Sequence, residues 1–150
     1  MTDRAAFAAI GALPERIEFE AAIVIARDSS DRILMQLRDD IPKIAAPGMW
    51  CLFGGGQEGQ ETLAQAAQRE FWEETGVMLG PDELSPFARI ATAARPDGVL
   101  YAYQSLRLLT PDAIKLGEGA GFAFLTASQI ENLPVVRSSR LVIEHFFSQL

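Results

Sequence analysis

With 150 residues, 49% of them apolar, the chain can bury one proper core and is expected to fold as a single domain over residues 1–150. Its formal net charge of -7 and pI near 4.7 leave no excess positive field for a long nucleic-acid backbone, so its partners are expected to be small molecules. No run approaches the roughly 18 uninterrupted apolar residues of a membrane helix, and the single cysteine, Cys51, permits no intramolecular disulfide. A cytoplasmic protein without membrane association is the expectation.

The first 15 residues read as an N-terminal arm or short docking helix: residues 5–13 are mildly apolar, but Asp3 precedes them and no basic start or cleavage site frames them. Residues 17–27 are apolar and rich in β-branched side chains. Asp28-Ser29-Ser30-Asp31 then supplies turn chemistry before a second strand at 33–38, so a hairpin is predicted. Residues 39–49, with two prolines and a glycine, form a loop, and the short apolar run 50–53 stops at Gly54-Gly55-Gly56, which marks a tight backbone path.

Thr62, with Gln65 three residues on, forms a capping box, and the helical pattern runs until Gly76. Strands at 87–93 and 100–108 flank the turn-like Arg95-Pro96-Asp97-Gly98 and make a second hairpin. A strand at 121–125, a short helix at 126–132 and a terminal helix follow. That last helix is predicted to be capped by Ser138 or Ser139, with Leu141, Ile143 and Phe146 turned inward. Strands, one helix, more strands and a terminal helix favour an α+β sandwich with mixed strand directions over regular βαβ winding.

The helix after Thr62 carries the chemistry. At about 100° per residue, Leu63, Ala66 and Ala67 share a stripe that continues through Glu70, Glu73 and Glu74. An acidic seam on a core-facing side is costly unless a cation compensates it, because neighbouring like charges repel and burial adds a desolvation penalty. Arg69 can neutralise part of it at i,i+4, or form an ordinary surface ion pair, but it cannot offset three carboxylates. A solvated acidic face is the competing reading, which the phase of the helix disfavours. Oxygen ligands at this density suit Mg²⁺ or Mn²⁺ and not zinc, for which histidine and cysteine are nearly absent.

Residues 55–77 read Gly55, five residues, Glu61, seven residues, Arg69-Glu70-Phe71, one residue, Glu73-Glu74, one residue, Gly76-Val77. This resembles the Nudix box, G-x5-E-x7-R-E-U-x-E-E-x-G-U with U bulky and apolar, and fills each fixed position. Phe53 departs from the proline that many members carry before the glycine pair. The resemblance implies the Nudix fold, an α/β/α sandwich around a mixed sheet. It also implies hydrolysis of a nucleoside diphosphate linked to another moiety, with water attacking phosphorus and about one to three Mg²⁺ or Mn²⁺ ions bridging enzyme and substrate.

Carried over by position, Glu70 and Glu74 are the expected metal ligands, with Glu73 a further ligand or the group that orients the water. The Gly55 carbonyl is an added ligand, and Arg69 and Glu61 hold the constellation together. Gly54, Gly56 and Gly76 are assigned to backbone geometry. Family members often take a base or ligand from outside the box, and Glu118, between Gly117 and Gly119, is the candidate here against the alternative of a solvated turn; Glu70 or Glu73 can serve as base instead. Arg38 and Arg27 are candidates for substrate phosphates, and each can equally be a plain surface charge. Tyr101, Tyr103 and Trp50 can stack on a base or sugar, or belong to the core. His145 and Cys51 are read as packing residues.

Two other functions stay open at this point: a Nudix-fold nucleotide sensor that binds without cleaving, and an isoprenoid diphosphate isomerase, which needs added cysteine and glutamate machinery. The sequence does not choose among a nucleoside triphosphate, an oxidised nucleotide, a nucleotide sugar and a dinucleotide. A homodimer through a sheet edge is compatible with all of them.

Overall fold

The computed structural model describes residues 3–150. Eight strands and three helices follow one another: β1 (Ala8–Ile10), β2 (Phe19–Ile25), β3 (Ile33–Leu37), β4 (Trp50–Cys51), β5 (Phe53–Gly56), α1 (Leu63–Thr75), β6 (Leu84–Ala91), β7 (Gly98–Ser105), β8 (Gly121–Leu125), α2 (Ala127–Glu131) and α3 (Arg137–Ser148). A five-stranded sheet runs β1-β6-β7-β2-β5 and a three-stranded sheet runs β4-β3-β8. In the larger sheet β1 lies parallel to β6 and β2 parallel to β7, while β6 and β7, and β2 and β5, are antiparallel. The architecture is the mixed-sheet α+β sandwich expected from the order of elements.

β2 has no polar face because the sheet is covered on both sides. Ala22 and Val24 point into a core with Leu63, Ala66, Ala67 and Phe71 of α1. Ile23 and Ile25 point the other way, into a core with Val142, Ile143 and Phe146 of α3 and with Ile33, Met35 and Leu125 of the smaller sheet. Each of the larger side chains contributes roughly 1.5–3 kcal/mol through burial, so α1 is fixed against β2 and β5 mainly by its apolar stripe. Phe53 and Phe71 meet edge to face at 6.2 Å between ring centres, which locks the helix to β5 directly.

Three local expectations are corrected. The N-terminal arm is not a helix beyond the single 3-10 turn Arg4–Ala6; Ala8–Ile10 instead pairs in parallel with Ala88, Arg89 and Ile90. Phe7 causes this, since it drops, 1% exposed, between Tyr101 and Tyr103 at 5.2 and 5.1 Å, edge to face with both. Phe7 anchors the arm, Ile10 and Leu13 pack against the two cores beside it, and the edge of β6 takes its backbone.

The hairpin of β2 and β3 exists only at its base. Asp28 accepts from the Ser30 and Arg32 amides, and Arg27 bridges to Ile33, but the strands then part into different sheets. β3 is buried over Ile33 to Gln36 and is completed by β4 and β8 on its two sides. Finally, α3 starts at Arg137 after Val136, which offers no side-chain cap. Ser138 and Ser139 lie inside the helix, and the Ser139 hydroxyl accepts from the Leu52 amide at 3.0 Å, tying α3 to the link between β4 and β5. Ile143 and Phe146 are buried as expected and Val142 joins them, while Leu141 is only partly covered.

Candidate active site

α1 is delimited by its own sequence. The Thr62 hydroxyl accepts from the Gln65 amide and the Gln65 side chain returns the bond to the Thr62 amide, while Gly76 ends the helix at φ 74°. Before it, β5 runs against β2 with Gly54 opposite Ile23 and Gly55 opposite Ala22. A side chain at Gly54, where φ is 153°, would meet the Ala22 carbonyl oxygen at 2.2 Å, so only glycine lets β5 lie this close. At Gly55 the obstacle is different: a Cβ would lie 2.5 Å from the carboxyl carbon of Glu70.

The three glutamates of α1 do not share one environment. Glu74 is buried, 5% exposed, and accepts from the Gly54 amide at 2.8 Å. The Glu70 side chain is 17% exposed and sits over Gly55, whereas that of Glu73 is 49% exposed at the outer margin. Glu73 and Glu74 stand to either side of Glu70 around the helix, and the core covers only the Glu74 side. The expected core-facing seam of three carboxylates is therefore corrected to one buried carboxyl, Glu74, with Glu70 partly covered and Glu73 at the rim.

Arg69 organises the acidic surroundings and is no ordinary surface charge. Its Nε and Nη2 donate to the two Glu61 carboxylate oxygens at 2.6 and 2.9 Å, Nη2 also reaches the Gly56 carbonyl at 3.0 Å, and Nη1 reaches Glu70 at 2.9 Å and Glu73 at 3.4 Å. One planar guanidinium thus joins the loop before α1, strand β5 and the helix itself. Its bond holds the Glu61 carboxyl below the usual carboxylate range, with the Glu58 amide adding to the effect.

Glu118 is brought to Glu74 from outside the box. The Gly117 amide donates to the Glu74 carbonyl at 2.9 Å, and a Cβ on Gly117 would lie 2.1 Å from the Glu73 carbonyl oxygen. Gly119, at φ 96°, lies close on Leu37 of β3, whose carbonyl oxygen a Cβ would meet at 2.9 Å. Between these two contacts the Glu118 carboxyl comes within hydrogen-bonding reach of the Glu74 carboxyl. Burial above all, and then Glu118, push the Glu74 carboxyl up to about 9, against the Gly54 amide, which pulls the other way.

Arg69's ion pairs go to Glu58, Glu61, Glu70 and Glu73, and none reaches Glu74. Among the described residues neither Glu74 nor Glu118 has an ion-pair partner. Among the described residues no three histidine, cysteine, aspartate or glutamate side chains gather tightly enough to hold a metal by themselves. The donor set does fit a hard divalent ion all the same: Glu70, Glu74 and Glu118 would supply carboxylate oxygen and the Gly55 backbone carbonyl oxygen, while the one softer group nearby, the buried Cys51 thiol, is bonded to Gln36. This is oxygen chemistry, suited to Mg²⁺ or Mn²⁺.

Of the substrate candidates, Arg38 lines a cavity of about 60 Å³ with Gln36, Asp39, Ile44, Glu118 and Gly119, next to the carboxyl pair. Arg27 is held by Asp31 at 2.6 Å on the β2-β3 turn. Tyr101 and Tyr103 are corrected to core residues, 1% and 2% exposed beneath Phe7, with no face free for a base. Trp50, half-buried, packs against the α3-side core, and His145 lies 5.2 Å from the Phe87 ring, away from the glutamates. Gln36 and Asp39 escaped the sequence reading; the only signal was one polar residue inside the apolar run of β3.

Comparison with known proteins gives the family and the fold. The NUDIX domain family model matches residues 18–146, and the chain belongs to that family, the family of Nudix hydrolases. It is similar to a nucleoside triphosphatase NudI from Enterobacter sp. (strain 638), 45% identical over 42 residues, a segment covering 28% of this chain and 30% of that protein. In three dimensions it resembles the MutT protein of Methanosarcina mazei Go1, with a TM-score of 0.72 and 19% identity, covering 90% of this chain and 96% of the other. It also resembles the NUDIX domain of Shewanella oneidensis NrtR complexed with ADP ribose, with a TM-score of 0.71 and 17% identity over 99% and 93% of the two chains. Among the described residues no helix is long and apolar enough to cross a membrane.

Proposed function

We propose that the chain is a Mg²⁺- or Mn²⁺-dependent pyrophosphohydrolase that cleaves a nucleoside diphosphate linked to another moiety, by attack of water at phosphorus. The observation that carries this reading is Glu74, a buried carboxyl that meets Glu118 and that no basic side chain of the Arg69 network reaches. A chain that buries one carboxyl against a second acidic group loses stability unless a cation arrives from outside.

Glu70, Glu74 and the Gly55 carbonyl are the groups that would hold the ions, with Glu73 at the rim as a further ligand or a partner of the water. When bound, the ions neutralise the diphosphate and make a coordinated water acidic. Glu118 is placed to take the proton of the attacking water, Glu70 or Glu73 being the alternatives. Arg69, through Glu61 and Gly56, fixes the distance between α1 and β5 on which this set depends. Arg38, on the rim of the cavity beside Glu118, is placed to meet a substrate phosphate. Within this reading the protein works in the cytoplasm as one domain, and its substrate is a nucleoside triphosphate, an oxidised nucleotide, a nucleotide sugar or a dinucleotide.

The resemblance to a domain complexed with ADP ribose keeps a sensor as the second reading. An isomerase is disfavoured, because Cys51 is buried and bonded to Gln36. The deciding experiment offers a panel of nucleoside triphosphates, nucleotide sugars and dinucleotides with Mg²⁺, with Mn²⁺ and with chelator. Hydrolysis of one class that chelator abolishes is the expected result. Binding without cleavage under every metal condition would replace the hydrolase with the sensor.

A further inference from the structure

Gln36 is the one polar residue facing the interior from β3, and it is 3% exposed. A buried amide is costly unless its donor and acceptor are both used. Its Nε2 donates to the Glu118 carbonyl at 3.0 Å, and its Oε1 accepts from the Cys51 thiol at 3.4 Å. The same side chain fills the space over Gly119, where a Cβ would lie 2.9 Å from Nε2 and 3.0 Å from Cγ. The neighbouring Leu37 carbonyl accepts from the Ala120 amide at 2.9 Å, so β3 grips the Glu118 turn on both sides of Gly119.

We propose that Gln36 is a positioning residue: its amide, oriented by the Cys51 thiol, holds the Glu118 turn against α1 so that the Glu118 carboxyl stays at Glu74. The inference rests on the role given to Glu118 above. The turn has few other holds. The Glu118 side chain is exposed, and its main chain is bounded by two glycines, whose freedom would otherwise let the carboxyl wander. Gly117 fixes the turn to the last residues of α1 and Gln36 fixes it to β3. Losing the Gln36 bond leaves β3 holding the turn only beyond Gly119, through the Ala120 amide, and frees the Glu118 carbonyl itself. Reacting groups displaced by about 1 Å cost up to about a hundredfold in rate, and supporting hydrogen bonds around metal sites are worth about 10–100-fold.

The test uses Gln36→Met, which keeps the volume and removes the donor, with Gln36→Asn, one methylene shorter, as the second variant should the first not fold. Hydrogen exchange is measured at the amides of residues 117–120 in the metal-free protein, and kcat and KM on the substrate found with the panel. The expected result is faster exchange at 117–120 with unchanged exchange in α1, and a fall in kcat of about tenfold or more with little change in KM. In a Glu118→Gln background the same substitution should lower kcat no further, because the residue through which Gln36 acts is already gone.

Unchanged exchange at 117–120 overturns the proposal, as does faster exchange with unchanged kcat, or a kcat loss that persists in the Glu118→Gln background. A wild-type protein that cleaves no member of the panel overturns the hydrolase reading separately, and the exchange measurement then still decides whether Gln36 holds the turn.

Discussion

Replacing Glu74 with glutamine should make the metal-free protein more stable and the enzyme nearly inactive. Glutamine keeps the size of the side chain, its Oε1 can still accept from the Gly54 amide, and its Nε2 offers Glu118 a donor where a second carboxyl now stands. In the folded wild type this carboxyl holds its proton up to about 9, whereas the unfolded chain releases it near the ordinary value of 4.5. The sign follows: because the folded state has the raised value, stability is highest below about 4.5 and declines as pH rises towards about 9. At pH 7 the unfolded state has gained roughly 1.4 kcal/mol for each pH unit above 4.5, about 3.5 kcal/mol as an upper bound. Relaxation and water entry reduce this to about 2 kcal/mol, or a Tm difference of about 4–8 °C for a chain of this size.

The assay is thermal unfolding of both proteins in chelator from pH 5 to 8, repeated with Mg²⁺. Glu74→Gln should unfold at higher temperature in chelator, with the gap widening as pH rises. Mg²⁺ should raise the Tm of the wild type and that of the variant far less, since a ligand stabilises only the state that binds it. Turnover should drop by about a hundredfold or more, as expected when several kcal/mol of metal assistance are lost. A variant that is less stable than wild type in chelator, or that gains as much from Mg²⁺, would refute the reasoning.

Arg69→Lys keeps the charge but cannot reach both Glu61 oxygens and the Gly56 carbonyl together, so kcat/KM should fall about 10–100-fold in steady-state assays while the protein stays folded. Phe71→Ala, at a fully buried position against Phe53, should cost about 3–5 kcal/mol in urea titration. Asp28→Ala should cost about 1–3 kcal/mol, because the carboxyl accepts from two amides and the Arg32 guanidinium. Burial opposes its charge, but those bonds prevail and hold it below its ordinary 3.8, so its contribution is present above that pH and lost as acid protonates it in the folded state. Cys51→Ser, which keeps a donor for Gln36, and His145→Gln, far from the glutamates, should leave kcat within about twofold.

α1 was legible to the residue because Thr62, Gln65 and Gly76 define its ends by local bonds, and the β6-β7 hairpin because 95–98 is a turn whatever surrounds it. The fork between β2 and β3 was not, since turn chemistry at Asp28 fixes the reversal but not the sheet each strand joins. The arm could not be read correctly either: the slot for Phe7 is made by two tyrosines far along the chain. Those tyrosines looked like stacking candidates because a strand's periodicity does not reveal that both faces are covered. In the site, the spacing of the glutamates was plain, but a helical projection alone does not say that cover stops between Glu74 and Glu73. Glu118 reaches Glu74 only through Gly117 and Gly119, contacts that no spacing rule encodes.

Gly55 differs from its neighbour in what its missing side chain does. At Gly54 the backbone conformation and the approach of β2 demand glycine, but at Gly55 the space a methyl group would occupy is already taken by the head of Glu70. The first position of the box therefore acts as a seat for one carboxylate. Any larger residue would turn the Glu70 head out of that space, so one missing methyl group sets where this carboxylate stands against the sheet.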